Sequence, residues 1–347
     1  MRNDSFLQKR EVNKDYNYGL GLLKLLCAFL VVLCHFGGGG ESVIKIERPF
    51  YDLRGLAVPV FMTMAFIFMG DHGISNIKKY RSRIARLLVP MEIWSIIAFV
   101  INRLLHLFSE QIPQVPFKGL LLQMAFGSWN ALDPVLWFQF DIIVWTVLYY
   151  TFNKLFGDKS IIVFSVLVIF ALEIQYNGVN AELFSNLPDW CKWPIGRLAE
   201  TYPFTFFGFV LGKYHILDKI KKSEKLFVCI IICLSFEIAL SAALYYPAGF
   251  GYSGLILSVR AIFLIIIFYL IPFDKLPTKL LLLIKHLSLY SMGVYFSHWI
   301  IGQYLNSFSL LQTVSDFVRS VYIFIICLIV SITIGLLFPK IKKYIVC

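Results

Sequence analysis

The chain has 347 residues, of which 59% are hydrophobic and only 15% are charged, whereas soluble domains carry about 25% charged residues. Its mean hydropathy is +0.74, and long apolar runs recur along it, which excludes an ordinary soluble protein. The net charge of +11 would suggest a nucleic-acid partner in a soluble protein. Here the basic residues cluster between apolar runs, which favours the lipid bilayer as the partner and argues against nucleic acid.

The apolar runs predict an all-α, polytopic transmembrane helical bundle of about ten spans. Residues 1–347 form one membrane domain in this interpretation, with no appended soluble domain. Most of the 32 Lys and Arg residues lie in alternate connections, so the positive-inside rule places both termini in the cytoplasm. Pro59 interrupts the second span, which is therefore expected to be kinked or re-entrant. The predicted spans are 18–36, 54–71, 87–107, 134–153, 159–175, 200–213, 225–244, 251–271, 283–305 and 318–338.

The first span carries two polar residues, Lys24 and His35, within one apolar stretch. Ionisable groups inside a membrane segment are costly, so they indicate a function. Eleven residues at about 100° each return to within roughly 20° of the same helix face, about 16 Å further along the axis. The two groups are therefore predicted to lie on one face, near opposite sides of the bilayer. Lys24 also fits a simpler interpretation, in which its ammonium reaches back to the cytoplasmic interface.

Two further groups are predicted at the depth of His35. His298 falls in the outer half of the ninth span, and Asp141 in the outer half of the fourth. A histidine beside a carboxylate is a typical general base, because the acid fixes the imidazole tautomer and stabilises the imidazolium. His298 and Asp141 are therefore candidates to orient His35. The seven cysteines show no CxxC or His/Cys metal spacing, so free thiols and no metal site are predicted.

A basic cluster precedes the third span and contains Arg83 and Arg86 one helical turn apart. In one interpretation it anchors the span against anionic lipid. In the other, the two guanidinium groups form a pair that binds phosphate oxygens.

Five segments, in this order, resemble the acyltransferase 3 family of bacterial integral-membrane acyltransferases. The family has an arginine, ten residues and a histidine in its first span, a Val-Pro-x-Phe-Phe segment, an Arg-x-x-Arg-Ile-x-Pro segment, a Leu-Trp-Phe segment and a late Tyr-Leu-x-His. The matching positions here are Lys24 to His35, Val58 to Met62, Arg83 to Pro90, Leu136 to Phe138, and Tyr295 to His298.

The resemblance implies transfer of an acyl group, often acetyl, from cytoplasmic acyl-CoA to a cell-envelope polysaccharide or lipid-linked sugar. It implies a location in the bacterial cytoplasmic membrane, acyl-CoA as a co-substrate and no bound cofactor. His35 takes the catalytic position, and Arg83 and Arg86 take the donor-binding positions. Trp137 and Tyr295, which lie inside matched segments, are expected to contact substrate.

The chain departs from the family at two places. Lys24 replaces the arginine and keeps its charge without the planar fork, and Ala65-Phe66 replaces a Ser-Gly pair. His35 acts either as a base toward an acceptor hydroxyl or as a nucleophile that carries the acyl group, and the sequence does not separate these routes. A transporter of a glycan or small acid, and a non-catalytic subunit of a polysaccharide-synthesis complex, are the alternative functions.

Overall fold

A computed structural model describes residues 16–38, 46–72, 76–108, 114–127, 132–176, 189–223, 255–306 and 313–339, with a few residues between 225 and 233. Over these residues the chain forms α-helices and short 3₁₀ turns and no strand, which confirms the all-α prediction. The helices are α1 (Tyr18–Phe36), α2 (Arg48–Leu53), α3 (Ala57–His72), α4 (Ile77–Phe108), α5 (Phe117–Phe126), α6 (Trp137–Phe156), α7 (Ser160–Tyr176), α8 (Asp189–Lys213), α9 (Ile216–Lys221), α10 (Leu255–Leu270), α11 (Thr278–Ser288), α12 (Ser291–Asn306) and α13 (Asp316–Leu337).

Five helical stretches of the described residues are long and apolar enough to cross a membrane, and α11 with α12 forms a sixth if this bent pair counts as one span. The protein is therefore a multi-pass helical membrane protein. The number ten and the side of the termini stay predictions, and the predicted span 225–244 falls almost wholly outside the described residues. The five stretches are Tyr18–Phe36, Arg48–Asp71, Ile77–Leu107, Trp137–Leu172 and Asp316–Leu337.

The stretch Trp137–Leu172 folds back on itself as an antiparallel hairpin. The ring centroids of Tyr149 and Phe164 are 4.2 Å apart, although a straight helix would separate these residues by about 22 Å. The reversal is a 3₁₀ turn at Gly157–Lys159, where Gly157 has φ +54°, a value that glycine adopts without steric cost. Helices α6 and α7 thus correspond to the separate predicted spans 134–153 and 159–175.

Three elements differ from the sequence-based expectation. Pro59 lies in the first turn of α3, where its missing N–H costs no hydrogen bond, and the helix tightens just before it to the 3₁₀ segment Arg54–Leu56. Helix α8 begins at Asp189, so a segment expected to be a loop is helical. The predicted span 283–305 is divided at Leu289–Tyr290, where α11 and α12 meet at 56°.

Helix α1 is the centre of the described bundle. It packs against α3, α10, α11, α12 and α13, and its residues Leu23, Cys27, Leu30 and Leu33 are completely buried. An apolar helix that is surrounded by other helices needs no charged face for solvent or lipid. The polar residues that α1 does carry therefore point into the protein or into a cavity.

Helices α3 and α8 cross at very short range because α8 carries glycines at a four-residue spacing. A Cβ added to Gly208 would lie 2.3 Å from the Thr63 carbonyl oxygen, and one added to Gly212 would lie 2.0 Å from the Ile67 carbonyl oxygen. Backbone atoms thus fill the space of the missing side chains. This Gly-x-x-x-Gly arrangement is typical of tightly packed membrane helices, and it fixes α3 against α8.

The segment before α6 is held by a chain of hydrogen bonds. The Gln123 side-chain amide donates to the Asp133 carbonyl oxygen at 2.8 Å, and the Val135 N–H donates to the Asp133 carboxylate at 3.4 Å. The Tyr295 hydroxyl then donates to the Val135 carbonyl oxygen at 2.7 Å. Asp133 is completely buried, and burial raises the pKa of this carboxyl to about 8.

Replacing Gly212 with alanine should destabilise the protein, because the new methyl group meets the α3 backbone rather than a movable side chain. We expect a loss of about 1–3 kcal/mol, the usual cost of overpacking, read as a lower unfolding temperature in detergent. The matched control is Gly196→Ala on the same helix, where an added Cβ meets nothing within 4 Å. Equal unfolding temperatures for the two variants would contradict this account of the crossing.

The Asp133 carboxyl should make stability depend on pH. Its pKa is raised on folding from 3.8 to about 8, so the native state holds the proton more tightly and stability declines as pH rises between these values. Asp133→Asn keeps an oxygen for Val135 and cannot ionise. The wild-type unfolding temperature should therefore fall more between pH 5 and pH 9 than that of this variant, while exposed Asp52→Asn should follow the wild type. Parallel curves for all three proteins would refute the prediction.

Candidate active site

His35 lies in the last turn of α1 and lines a pocket at that end of the helix. The side chain is exposed, so a molecule in the pocket can reach it without local unfolding. Helices α1, α3, α6 and α12, with the 3₁₀ segment before α3, supply the walls. The lining residues are Val31, Cys34, His35, Arg54, Ala57, Val58, Trp137 and Tyr295.

The second predicted histidine lies beside the first. The ring centroids of His35 and His298 are 5.3 Å apart, with the planes inclined by 37°. His298 is completely buried, and its Nδ1–H donates to the Tyr295 carbonyl oxygen, with a 2.5 Å separation. This contact leaves Nε2 of a neutral imidazole as the nitrogen with the lone pair. Nε2 has no hydrogen-bond partner among the described residues.

The end of α1 is fixed by side chains from two other parts of the chain. Arg319 of α13 donates to the Phe36 carbonyl oxygen at 3.2 Å. Tyr51 of α2 donates to the Gly37 carbonyl oxygen at 2.8 Å. Arg54 donates to the Gly38 carbonyl oxygen at 2.9 Å. Carbonyl groups at a helix end have no partner within the helix, and cations are favoured there. The backbone next to His35 is thus held in one position.

The predicted substrate residues Trp137 and Tyr295 both lie on the pocket wall. Tyr295 packs against Phe138, with ring centroids 4.9 Å apart, and against Phe61 at 6.3 Å. The Arg197 guanidinium lies 4.7 Å from the Trp137 ring centroid. The Val-Pro, Leu-Trp-Phe and Tyr-x-x-His segments therefore meet around one cavity, although they are far apart in sequence.

Asp141 is buried, but its hydrogen bond joins it to a different helix from the histidines. The Thr201 hydroxyl of α8 donates to Asp141 Oδ2 at 3.0 Å, and the Trp145 indole N–H donates to the same Thr201 oxygen at 3.1 Å. The described structure shows no hydrogen bond from Asp141 to His35 or His298, and Asp141 is not part of the pocket wall. His298, rather than Asp141, is the group that the fold brings against His35.

Lys24 lies on α1 with His35 but not in the pocket. Its ammonium is 5.3 Å from the centroid of the Phe68 ring in the second half of α3, whereas the pocket receives Val58 from the first half. Helices α1 and α3 are therefore antiparallel, and Lys24 and His35 mark opposite ends of their contact, as the eleven-residue spacing predicts.

The two arginines before the third predicted span have different surroundings. Arg83 reaches into the bundle, where it donates to Thr146 Oγ1 at 3.3 Å and to the Ala65 carbonyl oxygen at 3.1 Å, and it lies 5.5 Å from the Phe66 ring centroid. Arg86 is exposed and donates to the Ser82 carbonyl oxygen within its own helix. Arg83 and Lys24 thus both contact residues 65–68 of α3, and Arg86 points away from this cluster.

Sequence analysis missed two pocket residues, Cys34 and Arg54. In the sequence, Arg54 is one of the 32 basic residues used for topology, and Cys34 is one of the seven cysteines predicted to be free thiols. One signal was available, since Arg54 precedes the Val-Pro segment by four residues and that segment was already matched. The contact of Arg54 with the end of α1 joins two different helices, and no spacing in the sequence predicts such a contact.

A family model described as an acyltransferase domain, that of acyltransferase 3, matches residues 17–338, nearly the whole chain and all the elements that build the pocket. No curated protein and no solved structure matches the chain. The family match covers far more than half of the sequence, so this membrane protein belongs to the acyltransferase 3 family.

Proposed function

We propose that the protein is a membrane O-acyltransferase. It moves an acyl group, with acetyl as the first candidate, from cytoplasmic acyl-CoA to a hydroxyl of a cell-envelope polysaccharide or lipid-linked sugar. The observation that carries the proposal is the accessible imidazole of His35, which faces a pocket built from the family-matched segments and lies beside the buried His298.

The histidine pair supports general-base catalysis. An acceptor hydroxyl that enters the pocket loses its proton to His35 as its oxygen attacks the thioester carbonyl carbon. His298 keeps a lone pair on Nε2, its ring centroid lies 5.3 Å from that of His35, and in this mechanism it stabilises the positive charge of the His35 imidazolium. When the thiolate of CoA leaves, His35 returns the proton to the sulfur, and both histidines are again neutral. An acyl-imidazole intermediate on His35 would use the same pocket.

Lys24 and Arg83 support a donor site at the other end of the α1–α3 contact. Both cations lie against α3 near Phe66 and Phe68, about 12–15 Å along the helix axis from Val58 on the pocket wall. Cationic side chains suit the phosphate groups of CoA, and the exposed Arg86 adds charge outside the bundle. The thioester then extends from this cluster toward His35.

This reaction requires the topology inferred from the charges. We propose ten spans with both termini in the cytoplasm of a bacterial cell, so that Lys24 and Arg83 face the inner side of the cytoplasmic membrane and His35 faces the outer side. Further proteins of polysaccharide synthesis would supply the acceptor. The bend between α11 and α12 is a feature that transporters also use, so glycan export is the outcome to be distinguished by experiment.

The first test is His35→Ala, assayed in membranes with labelled acetyl-CoA and the cell's own glycans. Loss of a general base costs about 10²–10⁴ in rate, so release of CoA and labelling of glycans should nearly disappear, and surface glycans should lose one acetyl mass. The control is His286→Ala, at an exposed position on α11 outside the pocket. Normal acylation by His35→Ala would disprove its role, and absence of CoA release by the wild type would favour transport.

The second test separates the two nitrogens of His298. Asparagine can still donate to the Tyr295 carbonyl oxygen but lacks an acceptor at the Nε2 position, whereas glutamine places an amide group near that position. His298→Asn should therefore keep the wild-type unfolding temperature within a few degrees and lose more activity than His298→Gln. Its pH–rate profile should also change, because His35 loses its neighbour. Equal activity of His298→Asn and the wild type would show that His298 only packs the core.

A further inference from the structure

We propose that Arg54 is a catalytic residue of the acyl transfer, whose guanidinium stabilises the oxyanion formed on the thioester carbonyl. The inference rests on the proposed function and adds a residue that none of the matched segments contains. Arg54 lines the same pocket as His35. It is the only residue of that lining with a permanent charge, since the other members are apolar, aromatic, a thiol and an imidazole.

The reaction creates a negative charge that needs this partner. As the hydroxyl oxygen bonds to the thioester carbon, the proton goes to His35 and the electron pair of the carbonyl moves onto its oxygen. The tetrahedral intermediate then collapses, the carbon–sulfur bond breaks, and the CoA thiolate takes the proton back from His35. No further reactant is needed. The walls supplied by Val31, Ala57 and Val58 are apolar, so an uncompensated oxyanion there would be costly.

Arg54 is held in place before any substrate binds. One Nη–H donates to the Gly38 carbonyl oxygen at 2.9 Å, and the guanidinium carbon lies 5.3 Å from the centroid of the Tyr51 ring. The residue stands in the rigid turn at the start of α3. A preorganised donor stabilises a developing charge without the cost of reorganisation.

The position of Arg54 relative to His35 allows the two side chains to take different roles. Gly38 follows His35 by three residues, so the bond from Arg54 to Gly38 sets the cation against the turn that carries the base. One side of the pocket then accepts the proton and an adjacent side holds the oxyanion.

The experiment compares Arg54→Gln with Arg48→Gln, which removes an exposed arginine of the preceding helix α2 that bonds to Asp52 and leaves the pocket lining intact. Release of CoA from acetyl-CoA is measured twice, with water as the acceptor and with membranes that carry the cell's glycans. Arg54→Gln should lower kcat about 10²–10³-fold, the usual loss for one oxyanion donor, with KM for acetyl-CoA nearly unchanged. Arg48→Gln should keep the kcat of the wild type.

Both acceptors are needed because an oxyanion forms whichever nucleophile attacks. Loss of both activities supports the proposal, whereas loss of only the glycan-dependent activity would overturn it and make Arg54 a binding group for an anionic acceptor. Equal kcat in the two variants would also overturn it. If the glutamine variant does not accumulate, Arg54→Lys takes its place, because lysine keeps the charge without the planar fork, and its kcat should lie below that of the wild type. A wild type that releases no CoA would instead refute the proposed function.

Discussion

Three carbonyl groups at the end of α1 need hydrogen-bond donors from outside the helix, and the rest of the site depends on this constraint. The last carbonyl groups of a helix have no partner within it, so those of Phe36, Gly37 and Gly38 take donors from other parts of the chain. The donors come from Arg319, Tyr51 and Arg54. These bonds join α13 and the segment before α3 to the turn that carries His35. The same contacts that complete the helix end therefore shape the pocket, because Arg54 and the start of α3 become its wall.

Helix α3 connects the two ends of the site. Its first turn contributes Ala57 and Val58 to the pocket, and its second half receives Lys24 and Arg83. The glycine crossing with α8 limits how far α3 can shift, so the distance between the ends is set by the helix itself. The departure from the family pattern at Ala65-Phe66 has a physical explanation. Arg83 donates to the Ala65 carbonyl oxygen and lies over the ring of Phe66, so the larger side chain provides a surface for the cation where the family has a small pair.

The sequence predicts helices and single polar residues well and predicts their partners poorly. Apolar periodicity and length identify α1, α4, α6, α7 and α13, because each must be apolar over most of its length to lie in lipid. Counting residues along the spans predicts a similar depth for His35 and His298, and the structure brings their ring centroids to 5.3 Å. Asp141 was counted to the same depth, yet its partner is Thr201, since depth does not determine which neighbour a helix face meets. The bend at Leu289–Tyr290 contains no proline that would have predicted it. Arg54 cannot be distinguished in the sequence from any other charged residue beside a membrane span.

The separation of the cations from the histidines restricts which donors suit this site. Lys24 and His35 are about 16 Å apart along α1, and Ala65 and Val58 are about 10 Å apart along α3. A donor whose anionic group adjoins its reactive carbon, such as an acyl phosphate, could not contact Lys24 and Arg83 while its carbonyl lies beside His35. Acyl-CoA carries its phosphates at one end of a long arm and its thioester at the other. A flexible arm also passes between helices with little disturbance, which matters in a bundle where α1 is almost completely enclosed. The distance between these cations and the histidines thus supports the acyl-CoA donor that we propose.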